Sequence, residues 1–555
     1  MIRKNSGKEG FPLQKNDIFP MRAENLGADM EGVCRHEGMT VFVPGLLPGE
    51  ETDVRIVKVE KRYAFGRMEH LPAVPSPDRK APDCPAFPRC GGCSCRHIRY
   101  EATLAAKQRQ VEDCFRRIGG MEVEVLPPLG MEDPRAYRNK TALPLGGTVA
   151  EPALGFYAPR SHSVVPVGKC PNAMVPSDEI AGRFLDWMKR HRLAPYDETT
   201  HHGLVRHLMI RVNRAGESMV TVVINGPSLP HGQELAEELK PLGVVSLFAN
   251  INTARNNVIL SDRFQRICGS ETLSDTLCGL EFRLSPGAFF QVNPYQTEKL
   301  YDTALRFADL SPEDTLCDVY CGAGTITLMM ARHCRSAVGI EIVPAAVENA
   351  RENAKRNGIA NAEFHAGRAE ELLPRMVRDG LRCNVIVVDP PRKGLEPEVI
   401  RAIAEAGPDR VVYVSCNVAT QARDAALFRE SGYTIKKVQP VDMFCWTSGI
   451  ETVCLLSKLK STYYIDVDLD LSELDVTQAE AKATYDEIKA YVFEHTGLQV
   501  SNLYIAQVKA KHGIIERNCY NKPKTEGNKV PKCPPDKEKA IENALRHFQM
   551  IKKEA

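Results

Sequence analysis

A cysteine and a glutamate stand where apolar runs meet loops, and the two residue types together can carry covalent catalysis. Cys416 follows Val411-Val412-Tyr413-Val414-Ser415 and precedes Asn417. Glu451 sits in Gly449-Ile450-Glu451-Thr452-Val453, at the start of another apolar run. A thiolate that adds to a substrate splits one hard step into several easier ones. A carboxylate among apolar neighbours holds its proton more tightly and suits a general base. The thiolate is the active form of the sulfur, and a nearby positive group would favour it. Taken singly, Glu451 reads equally as an ordinary strand-end acid. Cys317 and Cys383 lie inside apolar runs and read as core residues.

The element that must hold Cys416 is one strand of an alternating strand and helix series. Residues 286–459 show this alternation, which predicts a parallel sheet. Thr315-Leu316-Cys317-Asp318-Val319-Tyr320 is a buried strand running into Cys321-Gly322-Ala323-Gly324. A helix follows over 325–332, and then a second strand, Ala337-Val338-Gly339-Ile340-Glu341, ends in an acid. Glycine lets the backbone turn tightly against a ligand, and the acid can accept hydrogen bonds from both ribose hydroxyls of a nucleoside. The loop is Gly-x-Gly without a third glycine. It therefore leaves open a dinucleotide or S-adenosylmethionine, which binds to the same kind of sheet. Asn384-Val385-Ile386-Val387-Val388-Asp389 brings a further carboxylate to the carboxyl end of a strand, where ligands of open α/β sheets bind. Pro390 and Pro391 stiffen the loop behind it.

Cys84, Cys90 and Cys93 follow the spacing C-x5-C-x2-C. With a distant fourth cysteine they would make a four-thiolate site, for zinc or for an iron–sulfur cluster. Cys95, next to them, is not expected to be a ligand.

The rest of the chain frames these groups. Its 555 residues predict three or four domains. A formal net charge of +1 neither requires nor excludes a nucleic acid. No run of about 18 apolar residues predicts a spanning helix, and the first residues do not read as a signal peptide. Eighteen cysteines without such a signal point to a reducing, cytoplasmic setting. Residues 13–72 predict a small barrel of short strands. Lys58, Lys61, Arg62 and Arg67 cluster near its end with Tyr63 and Phe65, a composition that suits single-stranded nucleic acid or a solvated face. Leu71–Pro88 reads as a proline-rich linker, residues 98–118 as an amphipathic helix, and the region up to about 285 as strand-rich. After 461 come an acidic run from Asp466 to Asp475, helical segments and the basic loop Asn521-Lys522-Pro523-Lys524.

Together, six stretches resemble the RNA uracil-5-methyltransferase family in order and spacing. They are Phe289-Phe290-Gln291-Val292-Asn293, Asp318–Gly324, Val338–Glu341, Asp389-Pro390-Pro391-Arg392-Lys393-Gly394, Ser415-Cys416-Asn417 and Ile450–Val453. The resemblance covers roughly residues 13–459. It implies that Gln291, Tyr320, Glu341 and Asp389 contact S-adenosylmethionine, that Cys416 is the nucleophile and that Glu451 accepts the proton. It further implies a multidomain α/β protein. Residues 13–72 would form a TRAM barrel that binds RNA, 76–285 a central α+β iron–sulfur domain, and 286–459 a Rossmann-like methyltransferase domain; 461–555 would be a helical extension. By the same resemblance Cys84, Cys90, Cys93 and Cys170 hold a [4Fe-4S] cluster. The chemistry explains the thiol: carbon 5 of uracil is a poor nucleophile until a thiolate adds to carbon 6. The TRAM-like segment and the cysteine motif favour 23S rRNA, in an unstacked loop, as the partner of a monomeric cytoplasmic enzyme. A tRNA enzyme and a non-catalytic RNA-binding iron–sulfur protein are the alternatives. A cytosine-5 enzyme is disfavoured, because Arg392 occupies the position where those enzymes carry a cysteine.

Tyr137–Lys140 and Gly203–Leu208 also match the family's central domain, with His207 read as a packing or RNA-contact residue. Two stretches depart from the pattern. Phe444-Cys445-Trp446-Thr447-Ser448-Gly449 stands where many relatives carry proline and histidine, and most relatives lack the tail after 461. In that tail, Tyr504–Lys511 and Lys522–Lys524 suit either an RNA-binding addition or a solvated appendage.

Overall fold

The structure, a computed structural model, describes residues 13–458, 483–512, 514, 533–548, 550 and 551. The acidic run and the Lys522–Lys524 loop lie outside the described residues. The chain divides into two compact units, Met1–Lys460 and Ser461–Ala555.

The first unit opens with a six-stranded sheet. Its order is Ile18–Arg22, Glu51–Val59, Tyr63–Met68, Met39–Val43, Gly32–His36, Asn25–Leu26. Alternation builds its core: Met39, Val41 and Val43 point inward with Val54, Ile56 and Ala64. The proline-rich stretch that follows is more than a spacer. Arg79 forks onto the buried Glu50 at 2.6 Å and donates to the Gly45 carbonyl, which pins the stretch against the sheet.

A mixed seven-stranded sheet comes next, with Val205–Val212 and Ser218–Ile224 buried along their whole lengths at its centre. The region is not only strands. Helices Ser177–Arg190 and Gly232–Leu239 cover one face through Ile180, Phe184, Trp187, Leu235 and Leu239. His207 lies on the central strand, buried, with its Nδ1 unpartnered. Burial, and then the neighbouring Arg206, push it down to about 4. That neutral, enclosed imidazole suits packing.

The third large sheet runs in the order Ala362–Ala366, Ser336–Glu341, Thr315–Val319, Val385–Val388, Arg410–Ser415, Glu451–Lys458, Tyr433–Val441. The first five strands are parallel, as the alternation predicts, and separate apolar clusters pack its two faces. The last two are antiparallel. No helix separates them, and a short connection can only make an antiparallel pair. Strand order reverses between Thr315–Val319 and Val385–Val388, so a crevice opens beyond their carboxyl ends.

Helix Tyr100–Arg117 packs on this third sheet through Val111 and Phe115. On its buried face Lys107 meets Asp442 at 2.5 Å, both fully enclosed, and Tyr100 donates to the other carboxylate oxygen. Lys107→Met would strand a buried carboxylate. It is expected to cost about 3–5 kcal/mol in denaturant unfolding, and the double change Lys107→Met/Asp442→Leu to recover most of that. A single-variant loss below about 1 kcal/mol would show that the pair matters little.

Among its described residues the second unit has three helices, Tyr485–Thr496, Asn502–Lys511 and Pro535–His547, around Ile488, Val492, Ile505, Val508, Ile541 and Leu545. Lys509, in the stretch read as an RNA-binding addition or a solvated appendage, is buried with its ammonium 4.6 Å from the Tyr485 ring. Among the described residues no helix is long and apolar enough to cross a membrane.

Candidate active site

At the end of Thr315–Val319 the backbone turns left-handed at Tyr320, with φ +75°. That conformation is rare for a bulky residue and clusters at functional sites. The N–H groups of Tyr320 and Cys321 donate to the Ile340 carbonyl on the next strand, which holds the turn. That next strand needs its glycine: a Cβ at Gly339 would come within 2.6 Å of the Phe364 ring and 2.8 Å of the Cys321 sulfur.

The crevice past this turn is lined by Gln291, Tyr320 and Asp389, three of the four residues read as cofactor contacts. Glu341, the fourth, lies beside the same loop, accepting from the Gly322 N–H at 3.1 Å and the Val343 N–H at 2.9 Å. Asp318 also lines the crevice, and sequence reasoning did not single it out. One of its oxygens accepts from Thr327; the other, Oδ1, is buried without a partner. Burial pushes Asp318 up to about 7. Asp389 is likewise pushed up to about 7, first by burial and then by the field of Asp318. The signal was there, in a carboxylate set inside an apolar strand. An orphaned acceptor and a group of acids fit a ligand that carries donors and positive charge, as S-adenosylmethionine does.

Register places the two residues read as catalytic. Ser415 pairs with Thr452 in the antiparallel ladder, so Cys416 and Glu451 are the next pair beyond it. Cys416 lies within the electrostatic reach of both Glu451 and Asp389, and Glu451 within that of Asp389. Burial pushes the Cys416 thiol up, and the carboxylates of Glu451 and Asp389 add to that, against the pull of Arg392. Burial also holds Glu451 well above the usual carboxylate range, with Asp389 adding and Arg392 opposing. Burial thus favours the neutral form of both groups, and the Arg392 guanidinium opposes it. Asn417 caps helix Val418–Glu430 and donates to the Arg392 carbonyl at 2.9 Å, which ties the Asp389–Gly394 loop to the turn that carries Cys416. Gly394, at φ +80°, is required there, because a Cβ would lie 2.5 Å from the Asp424 carboxylate.

The stretch before Glu451 is clamped from outside the sheet. Tyr137 donates to the Cys445 carbonyl at 2.9 Å, and Asn293 to that of Met443 at 3.2 Å. The N–H groups of Ser94 and Cys95 both donate to the Trp446 carbonyl, at 3.0 and 3.2 Å. The indole donates to the Pro134 carbonyl and packs beneath the Lys80 ammonium. Asn139 braces the other side, donating to the carbonyls of Gln291 and Val292. The variant segment Phe444–Gly449 is thus a packed strut between the cysteine motif and Glu451.

Cys84, Cys90, Cys93 and Cys170 are free and half-buried, while Cys95 is fully buried and donates to the Thr447 carbonyl. Burial pushes the Cys90 thiol up, and the sulfurs of Cys93 and Cys84 add to it; Cys170 is raised by burial and also feels Cys93. Cys84 and Cys93 thus lie within the electrostatic reach of Cys90, and Cys93 within that of Cys170. Gly92 donates to the Cys90 sulfur at 3.4 Å and Asn172 to that of Cys93 at 3.5 Å. Among the described residues, only His191, His231 and Glu234 bring three ligating atoms within 4.8 Å of one another, so the sulfurs are spread wider. Cys317 and Cys383 are buried in the sheet's core, as read.

Residues 253–459 match a family model described as tRNA (Uracil-5-)-methyltransferase, and residues 20–68 match the TRAM domain. An uncharacterized RNA methyltransferase of Clostridium tetani is 39% identical over 462 residues, 83% of this chain and 99% of that one. Another, of Halalkalibacterium halodurans, is 42% identical over 453 residues, 81% of this chain and 99% of that one. Among solved structures, the tRNA (uracil-54, C5)-methyltransferase of Pyrococcus abyssi, in complex with S-adenosyl-L-homocysteine, is 25% identical with a TM-score of 0.63, over 79% of this chain and 100% of that one. The chain, TRAM domain included, belongs to the uracil-5-methyltransferase family of RNA methyltransferases.

Proposed function

We propose that the protein methylates carbon 5 of a uridine in 23S rRNA, through a transient bond between the Cys416 sulfur and carbon 6. The observation that supports the reading best is that Cys416 and Glu451 each lie one residue beyond the last ladder pair, Ser415 and Thr452, within the electrostatic reach of Asp389. The Cys416 thiol gives up its proton to solvent and the sulfur adds to carbon 6, while the electron pair of the carbon 5–carbon 6 double bond shifts onto carbon 5 and the carbon 4 oxygen. S-adenosylmethionine, when bound, supplies the methyl group that carbon 5 takes up. Glu451 then removes the proton from carbon 5, the carbon 6–sulfur bond breaks and the electron pair returns to Cys416. Gln291, Tyr320, Glu341 and Asp389 hold the methyl donor, and Arg392 steadies the thiolate.

Cys84, Cys90, Cys93 and Cys170 hold a [4Fe-4S] cluster in this reading. Four thiols, each within the electrostatic reach of another, suit such a group, and the family resemblance favours it over zinc. The cluster would supply structure, because the clamp on Trp446 begins at Ser94, next to Cys93. The TRAM domain and the four cysteines favour 23S rRNA and a monomeric cytoplasmic enzyme. The likeness to the Pyrococcus tRNA enzyme favours a second reading, tRNA with the same chemistry.

Nucleoside mass spectrometry decides between them after incubation of purified protein with labelled S-adenosylmethionine and either RNA. Labelled 5-methyluridine is expected in large-subunit RNA. Label in tRNA alone would overturn the substrate and keep the mechanism. Label in neither would leave an RNA-binding iron–sulfur protein.

A further inference from the structure

A cavity of about 970 Å³ opens between the N-terminal six-stranded sheet and the cysteine segment. Small-molecule sites usually span about 300–1,000 Å³. Phe65 lines it from the sheet, and Phe87 and His97 from the cysteine segment. His97 is 4% exposed and stacks on Phe87, 5.4 Å between centroids and 22° between planes. Neither of its ring nitrogens has a partner. A buried polar group left so is destabilising, and native structures normally satisfy it. Burial, and then Arg79, push His97 down to about 4, so the ring is neutral and offers one donor and one acceptor. Nucleobase edges carry the same complement.

The rim adds the rest. Arg160 lays its guanidinium 4.8 Å from the centre of Phe65, and Arg67 and Lys80 also line the cavity, as do Asp29 and Glu31. Unstacked bases settle on aromatic rings and guanidinium planes, while lysine and arginine meet the flanking phosphates. The walls need no assembly. The Arg79–Glu50 pair fixes the stretch that joins them, and Lys80 N–H donates to the His97 carbonyl at 2.9 Å.

We propose that this cavity receives an unstacked nucleobase of the RNA substrate other than the uridine that is methylated. Neither Cys416 nor Glu451 lines it, so the base it takes is a second one, held to fix the strand. The inference rests on the reading of the chain as an enzyme acting on RNA, and extends it to a recognition subsite. Stacking on the aromatic walls gives most of the grip.

The test uses the full-length protein and two fluorescent probes of 12 units each: single-stranded RNA of mixed sequence, and an abasic ribose-phosphate chain of the same length. Wild type is expected to bind the base-bearing probe at least about tenfold more tightly. Phe65→Ala should weaken that probe by about 5- to 100-fold and change the abasic one by less than about twofold, while Phe65→Tyr keeps the ring and the affinity. Phe87→Ala should repeat the pattern from the opposite wall. Equal loss on both probes, no loss on either, or a wild type that does not prefer bases would each overturn the proposal. 5-Methyluridine formation is read separately. Product without base discrimination overturns the cavity alone, and base discrimination without product overturns the methylation reading alone.

Discussion

Cys416→Ala is expected to abolish methyl transfer, lowering turnover by about 10⁴-fold or more, while S-adenosylmethionine binds within about twofold of wild type. The size follows from the chemistry. Without sulfur addition at carbon 6, carbon 5 has too little electron density to attack a methyl group, and no neighbouring residue can take the sulfur's place. Unchanged cofactor binding follows from the geometry. The crevice lined by Gln291, Asp318, Tyr320 and Asp389 lies past the turn at Tyr320 and does not include Cys416. Single-turnover assays with labelled donor, beside calorimetric titration of the same variant, read the two quantities apart. Turnover within tenfold of wild type would remove Cys416 as the nucleophile. Lost donor binding would mean that the substitution disturbs the sheet edge.

Much of the site was legible because the fold puts chemistry at strand ends. Apolar runs that stop at Tyr320, Glu341, Asp389 and Cys416 give both the sheet and the crevice, since parallel strands bring their carboxyl ends to one edge. Asp318 escaped because a carboxylate inside an apolar strand looks like an irregularity until its unpartnered oxygen is seen. Lys107 lies at a core-facing position of its helix, yet a lysine suggests solvent. Only Asp442, 335 residues away in the chain, explains it.

Contacts of that reach leave no local pattern. Tyr137 to Cys445, Ser94 to Trp446 and Asn293 to Met443 join three stretches that the sequence shows as separate motifs. Their combined effect is to make the approach to Glu451 rigid, which no single motif announces. The helices Ser177–Arg190 and Gly232–Leu239 are a different case. Ile180, Ala181, Phe184, Trp187 and Met188 carry the helical period openly, and the strands around them drew the reading toward sheet.

Glu451→Gln is expected to leave methyl transfer possible and to trap the product, as a band of RNA joined to protein that survives denaturing electrophoresis. After transfer, carbon 5 carries both the methyl group and its original proton, and the carbon 6–sulfur bond cannot break until that proton goes. Glutamine fills the same space and cannot accept it, so resolution should slow by about 10²- to 10⁴-fold. The wild-type carboxyl must ionise first. Burial and Asp389 raise its affinity for the proton, and Arg392 opposes them. Resolution in wild type should therefore speed up as pH rises, whereas the glutamine variant should show no such dependence. Asp389 is the competing base at this edge, and the variant decides between them, since Asp389 remains in place. If the adduct forms and resolves at the wild-type rate, the proton goes to another group. If no adduct forms with Cys416 intact, methyl transfer itself depends on the Glu451 carboxylate, and the order of steps proposed here is wrong.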